Sequence, residues 1–129
     1  MGKQTKFSDT IITNKVNVKV NTSVIIFEED GAQIVYCPAL DVSGYGNDEA
    51  EAYESFKIVL HEFIHYSINK GTFYEELKRM GWQVRKSKTK PILPPSMSHI
   101  LSNNDNFSRI FNTFPFRKVN TTLEMPVVA

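Results

Sequence analysis

VIIFEEDGAQIVYCPALDVSGYGNDEAEAYESFKIVLHEFIHYS, residues 24–67, decides how the rest of the chain is read. Val24 to Phe27 is an apolar, β-branched run, the composition of a strand. Glu28-Glu29-Asp30-Gly31 then supplies the acids and the glycine that a hairpin turn favours. Ile34 to Cys37 is the return strand, and Pro38 closes it because proline has no N–H to give a ladder. Gly44 and Gly46 bracket Tyr45 in a third, short strand, and Asn47-Asp48 opens a helix.

That helix follows residue by residue. Asp48 suits the N-cap and Glu51 stands three places on, the spacing of a capping box, while Glu49, Glu51 and Glu54 lie near the positive end of the helix dipole. At 3.6 residues per turn Ala52, Phe56, Val59, Leu60, Phe63 and Ser67 share one face, with Tyr53 and Ile64 at its margin. Lys70 and Gly71 form the expected stop. The helix therefore covers one face of a small antiparallel sheet.

The run FEEDG, then IVYCPALDVSGYG, then a capped helix opening NDEAEAYESF, resembles the HicB antitoxin family, whose members read as an acidic hairpin turn, a PxLxG-like segment, a glycine and a Glu/Ala-rich helix. The resemblance covers roughly Val18 to Ser67. NKGTFYEELKRMGWQV, from Asn69 to Val84, is similar to the continuation in a longer, Bacteroidetes-type branch of that group. The pattern departs at Asp41-Val42-Ser43, where many members carry a Gly-Cys pair. The resemblance implies a partial ribonuclease H-like fold, no enzymatic activity, and a HicA-like, messenger-RNA-cleaving toxin as partner. It also implies possible repression of the chain's own operon through operator DNA.

Upstream, Val16, Val18 and Val20 alternate with Asn17 and Lys19, the period of a half-buried strand. One long bent strand running through Asn21-Thr22-Ser23 into Phe27 is the simplest reading. Residues 1–13 are polar around Phe7, Ile11 and Ile12, and suit an arm or an edge strand. Downstream, Thr72 or Gly71 caps a second helix over Phe73 to Met80, ended by Gly81, and Trp82 and Val84 return to the core or form a short strand. Lys86 to Pro95 has the composition of a linker, since Pro91, Pro94 and Pro95 forbid a helix. Ser96 or Ser98 caps a further short helix, Phe107 to Phe111 forms another helical turn, and Val119 to Ala129 reads as a strand interrupted by Pro126. Such a terminal strand either finishes the chain's own sheet or pairs with a partner's edge. These divisions give a domain over 1–85, a linker over 86–95 and a C-terminal extension over 96–129.

With 129 residues, 41% of them hydrophobic and 12% aromatic, the chain has material for a core. The formal net charge is only +1, but its distribution is uneven. Nine acids between Glu28 and Glu62 face Lys57 alone, whereas Lys78, Arg79, Arg85, Lys86, Lys88 and Lys90 form a basic strap without an acid. Cys37 is the single cysteine, which excludes an intrachain disulfide. No apolar stretch approaches a membrane span, and the first residues lack the apolar core of a signal peptide, so a cytoplasmic location is expected.

Three motifs invite chemistry. His61-Glu62-Phe63-Ile64-His65 is an H-E-x-x-H on a helix, the spacing that lets two imidazoles hold zinc while a glutamate deprotonates a bound water. The helical wheel turns His61 and His65 away from the core, and a catalytic site needs a third ligand for which only His99, Glu75 or Glu76 stands available. The paired acids suggest a two-metal nuclease, yet turn, cap and dipole already account for them. Cys37 has no base beside it in sequence and reads as a small buried hydrophobe.

The sequence thus predicts an α+β fold: a three- to four-stranded antiparallel sheet, one long helix on one face, and a C-terminal extension. The expected function is that of an antitoxin-like protein without cofactor that neutralises a HicA-like toxin. Glu28, Glu29, Asp30 and Asp41 would meet the toxin's basic surface. Arg85, Lys86 and Lys88 would meet nucleic acid, and the terminal strand would support a homodimer or higher homo-oligomer. A zinc-dependent hydrolase using His61, Glu62 and His65, and a stand-alone nucleic-acid-binding protein, are the alternatives.

Overall fold

The computed structural model describes residues 15–85 and 91–128. The elements in order are β1 (Lys15–Glu29), β2 (Ala32–Cys37), β3 (Val42–Gly46), α1 (Glu49–Lys70), α2 (Phe73–Arg79), β4 (Gln83–Val84), β5 (Ile92–Leu93), α3 (Met97–Asn103), α4 (Asp105–Thr113) and β6 (Phe116–Val128). The main sheet is four-stranded and antiparallel, in the order β3-β2-β1-β6, and β4 and β5 form a small second sheet. This is the expected α+β fold with four strands. Residues 1–13, read as an arm or edge strand, lie outside the described residues.

β1 runs unbroken through the polar triplet Asn21-Thr22-Ser23. The triplet persists in a strand because β6 answers it with polar residues. Thr22 lies opposite Thr121, Ser23 Oγ donates to Asn120 Oδ1 at 3.1 Å, and Thr122 Oγ1 donates to Asn21 Oδ1 at 2.9 Å. Cross-strand pairs of this kind stabilise a sheet where apolar ones are missing. The chain's last strand therefore finishes its own sheet, paired with β1 from Lys15↔Val128 to Phe27↔Phe116.

Both faces of the sheet are covered where β2 passes, which is why the adjacent residues Val24 and Ile25, and Val35 and Tyr36, are all buried. Side chains alternate faces along a strand. Val35 and Gly44 are cross-strand partners on one face, and there the α1 backbone lies so close that a Cβ on Gly44 would stand 2.1 Å from the Phe56 nitrogen. Tyr36 and Phe27 point to the other face, where Phe107 of α4 meets Tyr36 at 6.3 Å between ring centroids and Phe114 meets Phe27 at 5.0 Å. The C-terminal segment thus belongs to the body of the fold. Its residues Ile100, Phe107, Ile110, Leu123 and Met125 join the same buried cluster as Val24, Phe56 and Leu77.

α1 starts and stops as its sequence dictates. The Asp48 carboxylate accepts from the Glu51 amide at 2.8 Å, Glu51 Oε1 accepts from the Asn47 amide at 2.8 Å, and Gly71 in the left-handed region ends the helix. The buried face is centred on Ala52, Phe56, Ile64 and Ser67, with Leu60 and Phe63 half-buried. Val59, expected on that face, is 36% exposed, and Ile64, expected at the margin, is buried. The stripe is rotated toward Ile64, and α1 packs on α2 as well as on β2 and β3.

Between α2 and α3 the chain returns to the core, with Trp82 and Ile92 both buried. The Arg85 amide donates to the Pro91 carbonyl at 2.6 Å, closing the β4–β5 pair. Prolines exclude a helix from 91–95 but not a strand pair, so composition alone concealed an anchored segment. Ser96 caps α3 through the His99 amide, and Asn104 caps α4 through the Phe107 amide, giving α4 nine residues where one turn was expected. Among the described residues no helix is long and apolar enough to cross a membrane.

Candidate functional site

The acidic end of the sheet is the strongest candidate surface. Glu29 pairs with Ala32, which leaves a two-residue turn, and Asp30 and Gly31 both have positive φ, 53° and 82°. That is the backbone of a type I′ turn, whose twist matches the flanking strands, and it needs a residue such as aspartate followed by glycine. The tip holds Glu28 and Asp30 in solvent, with Glu29 partly covered. Gly46 lies level with Gln33, so the start of α1, with Asp48, Glu49 and Glu51, falls at this same end. Two arginines from the C-terminal segment temper the charge. Arg117 donates to both Glu49 oxygens at 2.8 Å, which raises its pKa further, and Arg109 approaches Glu29 at 3.8 Å.

Asp41, the fourth expected contact, is not part of this surface. It lies at the opposite end of β2, six residues or roughly 20 Å along the strand. With φ at 54° it completes the turn from Pro38. Its carboxylate accepts from the Tyr36 hydroxyl, from Asn104 Nδ2 at 3.3 Å and from Asn106 Nδ2 at 3.4 Å, while Asn104 Nδ2 also reaches Tyr36 Oη at 3.2 Å. Burial, and then the Asp41 carboxylate, hold the Tyr36 phenol well above its ordinary pKa. Asp41 therefore ties the β2–β3 turn to the start of α4. The asparagines of NNDN, read from sequence only as helix breakers, are its partners. No local signal joins positions more than sixty residues apart.

A groove of about 570 Å³ opens beside this network, lined by Asp41, Lys78, Arg79, His99, Asn104 and Asp105 among others. Its charge is mixed, and Arg79 is already paired with Glu76 at 2.7 Å. His61 and His65 lie exposed on α1 with ring centroids 4.7 Å apart. Among the described residues no group of three or more His, Cys, Asp or Glu side chains is placed to hold a metal ion, and His99 packs instead against Gly81. Of the basic residues expected at nucleic acid, Arg85 flanks the β4–β5 pair, and Lys86 and Lys88 lie outside the described residues.

Cys37 is fully buried at the end of β2. Desolvation pushes its thiol from 9.0 up to about 11, so it is protonated and unreactive at neutral pH. Above pH 9 the unfolded thiol loses its proton while the folded one keeps it, so stability falls as pH rises toward 11. The loss is about 3 kcal/mol at about 1.4 kcal/mol per pKa unit. Urea midpoints measured from pH 8 to 11 are expected to decline in the wild type. A Cys37→Ala protein should show a clearly shallower decline between pH 9 and 10, where the Tyr36 phenol, raised by burial and by Asp41, has only begun to contribute. An equal decline in both would remove the thiol as the cause.

Compared with protein-family models, curated proteins and solved structures, the chain matches none.

Proposed function

We propose that the chain is a HicB-like antitoxin: a cytoplasmic, non-enzymatic protein that binds and neutralises a small, basic, messenger-RNA-cleaving HicA-like toxin, with repression of its own operon as a second role. The observation that carries this reading is the acidic tip of the two-residue hairpin turn, Glu28, Glu29 and Asp30, standing beside the acidic start of α1. A two-residue turn fixes the backbone that carries these carboxylates before binding, so little backbone ordering entropy is lost on association. Acids so placed complement a cationic RNA-binding surface, speed encounter and compete with the RNA substrate. The family-like order of turn, proline, glycine and cap supports the same reading. Repression would engage Arg85, Lys86 and Lys88 at operator phosphates and fall steeply with salt.

The test is co-expression with the product of the neighbouring reading frame. A small basic protein is expected to co-purify, and the Glu28→Lys/Glu29→Lys/Asp30→Lys protein should bind it about a hundredfold more weakly, with a shallower salt dependence. Asp41→Asn, at the far end of β2, should leave binding within about threefold. Unchanged affinity in the triple variant would refute the electrostatic account. Zinc at one per chain, lost on His61→Ala or His65→Ala, would instead favour the hydrolase.

A further inference from the structure

β6 is the edge of the main sheet, and β1 occupies only its inner side. Its outer side runs thirteen residues from Phe116 to Val128, and among the described residues no strand lies beside it. Natural sheets shorten, bulge or cover long edges because their unpaired N–H and C=O groups are templates for another strand. Here the edge is long, and its charges, Arg117, Lys118 and Glu124, with Pro126 near its end, bar indiscriminate strand addition and admit only a strand that answers them.

We propose that a second copy of this chain pairs with that edge, β6 against β6, about a two-fold axis through Thr121. The geometry restricts the choice of register. A two-fold axis perpendicular to the sheet makes the strands antiparallel and keeps each face on its own side, so paired residue numbers must sum to an even value. Centring on Thr121 sets Lys118 opposite Glu124 of the second copy, Asn120 opposite Thr122, and Val119 opposite Leu123. Opposite charges meet twice, once on each side of the axis, and apolar meets apolar. Centring on Asn120 would set Lys118 against Thr122 and Arg117 against Leu123; centring on Thr122 would set Lys118 against Pro126 and Glu124 against Asn120. Only the Thr121 axis pairs the charges.

Further features bear on this register. Lys118 and Glu124 are exposed and share a face; within its own sheet Lys118 lies across from uncharged Ile25, while Glu124 lies across from Lys19, so the axis brings Lys19, Glu124 and the second copy's Lys118 into one row. The paired stretch, Arg117 to Met125, is bounded by Pro126, which has no N–H for a ladder. The same central residues, Asn120, Thr121 and Thr122, line a shallow surface depression of about 660 Å³ with Asn21, Thr22 and Ser23. The product is a continuous eight-stranded sheet with β3 at each outer edge, and its antiparallel centre sends the two acidic hairpin tips to opposite ends of the strands, away from the joint. The inference does not rest on the toxin-binding reading.

Sedimentation velocity over a concentration series tests it on the full chain. The wild type is expected to be a dimer at micromolar concentration. Lys118→Glu places like charges opposite each other twice and should raise the dissociation constant about tenfold or more, and Lys118→Glu/Glu124→Lys, made together with Lys19→Glu so that position 124 keeps an opposite charge across its own sheet, should bring it back to within about threefold of wild type. Thr121→Cys should cross-link to itself under mild oxidation, because directly opposed Cα atoms about 4.5–5.5 Å apart suit a disulfide. Asn120→Cys should not, and buried Cys37 should leave the wild type uncross-linked. A wild type that stays monomeric, a dimer indifferent to Lys118→Glu, no recovery in the charge swap, or cross-linking through Asn120→Cys in place of Thr121→Cys would overturn the proposal.

Discussion

Gly44→Ala is expected to cost about 3 kcal/mol or more, a large part of the roughly 5–15 kcal/mol that holds a domain of this size together. A Cβ at this position would stand 2.1 Å from the Phe56 nitrogen, 2.5 Å from its Cα and 2.6 Å from the Ser55 carbonyl carbon. All three are backbone atoms of α1, so no side-chain rotation relieves the overlap, and the helix must move off β3 as a unit. That movement opens space around Phe56 and Ala52, which are buried against the sheet. Gly46, two residues on and on the same face, has the same relation to Glu51 and Ala52, so the second glycine gives the displaced helix no room. Urea unfolding followed by circular dichroism measures the loss. Tyr45→Ala is the control: Tyr45 lies between the two glycines, is 71% exposed, and its removal should change stability by no more than about 0.5 kcal/mol. Comparable costs at 44 and 45 would show that strand propensity, rather than the helix approach, sets the glycine requirement.

The same pair of glycines marks how much was legible in the sequence. Their role as strand punctuation could be read, but their role as the seat of a helix required knowing which face of β3 meets α1. Features closed within three or four residues were legible. The Asp30-Gly31 turn is dictated by backbone conformation, and the Asp48 and Glu51 caps are contacts one helical turn long. Features closed across the chain were not. Val59 and Ile64 are both apolar and both near the expected stripe, and only the packed body chooses between them. Residues 91–95 have a linker's composition, yet Ile92 between prolines is enough to dock the segment once β4 is there to pair with it. The candidate surface divided in the same way. Glu28, Glu29 and Asp30 are neighbours in sequence and remain neighbours in space. Asp41, grouped with them by charge alone, is carried to the far end of β2 and spent on Tyr36, Asn104 and Asn106.

Trp82→Ala is expected to destabilise the protein by about 3–5 kcal/mol, the cost of emptying a large buried aromatic site. Trp82 is only 4% exposed, and it is the single tryptophan in the chain, so far-ultraviolet circular dichroism must replace fluorescence as the readout. Trp82→Phe separates packing from polarity. It keeps most of the ring volume but removes the indole N–H, which donates to the Ala39 carbonyl at 2.7 Å across 43 residues. A buried carbonyl stripped of its donor costs about 1–3 kcal/mol, so the Phe variant should fall clearly below wild type. The effect should also spread. Ala39 belongs to the Pro38–Asp41 turn, in which the Leu40 and Asp41 amides donate to the Cys37 and Pro38 carbonyls, and Asp41 holds α4 through Asn104 and Asn106. Loosening the turn at Ala39 should therefore speed hydrogen exchange at the Leu40 and Asp41 amides more than at the β1–β2 hairpin. If stability falls while those two amides keep their wild-type protection relative to the hairpin, the indole bond acts on Trp82 alone and the turn is held by Asp41.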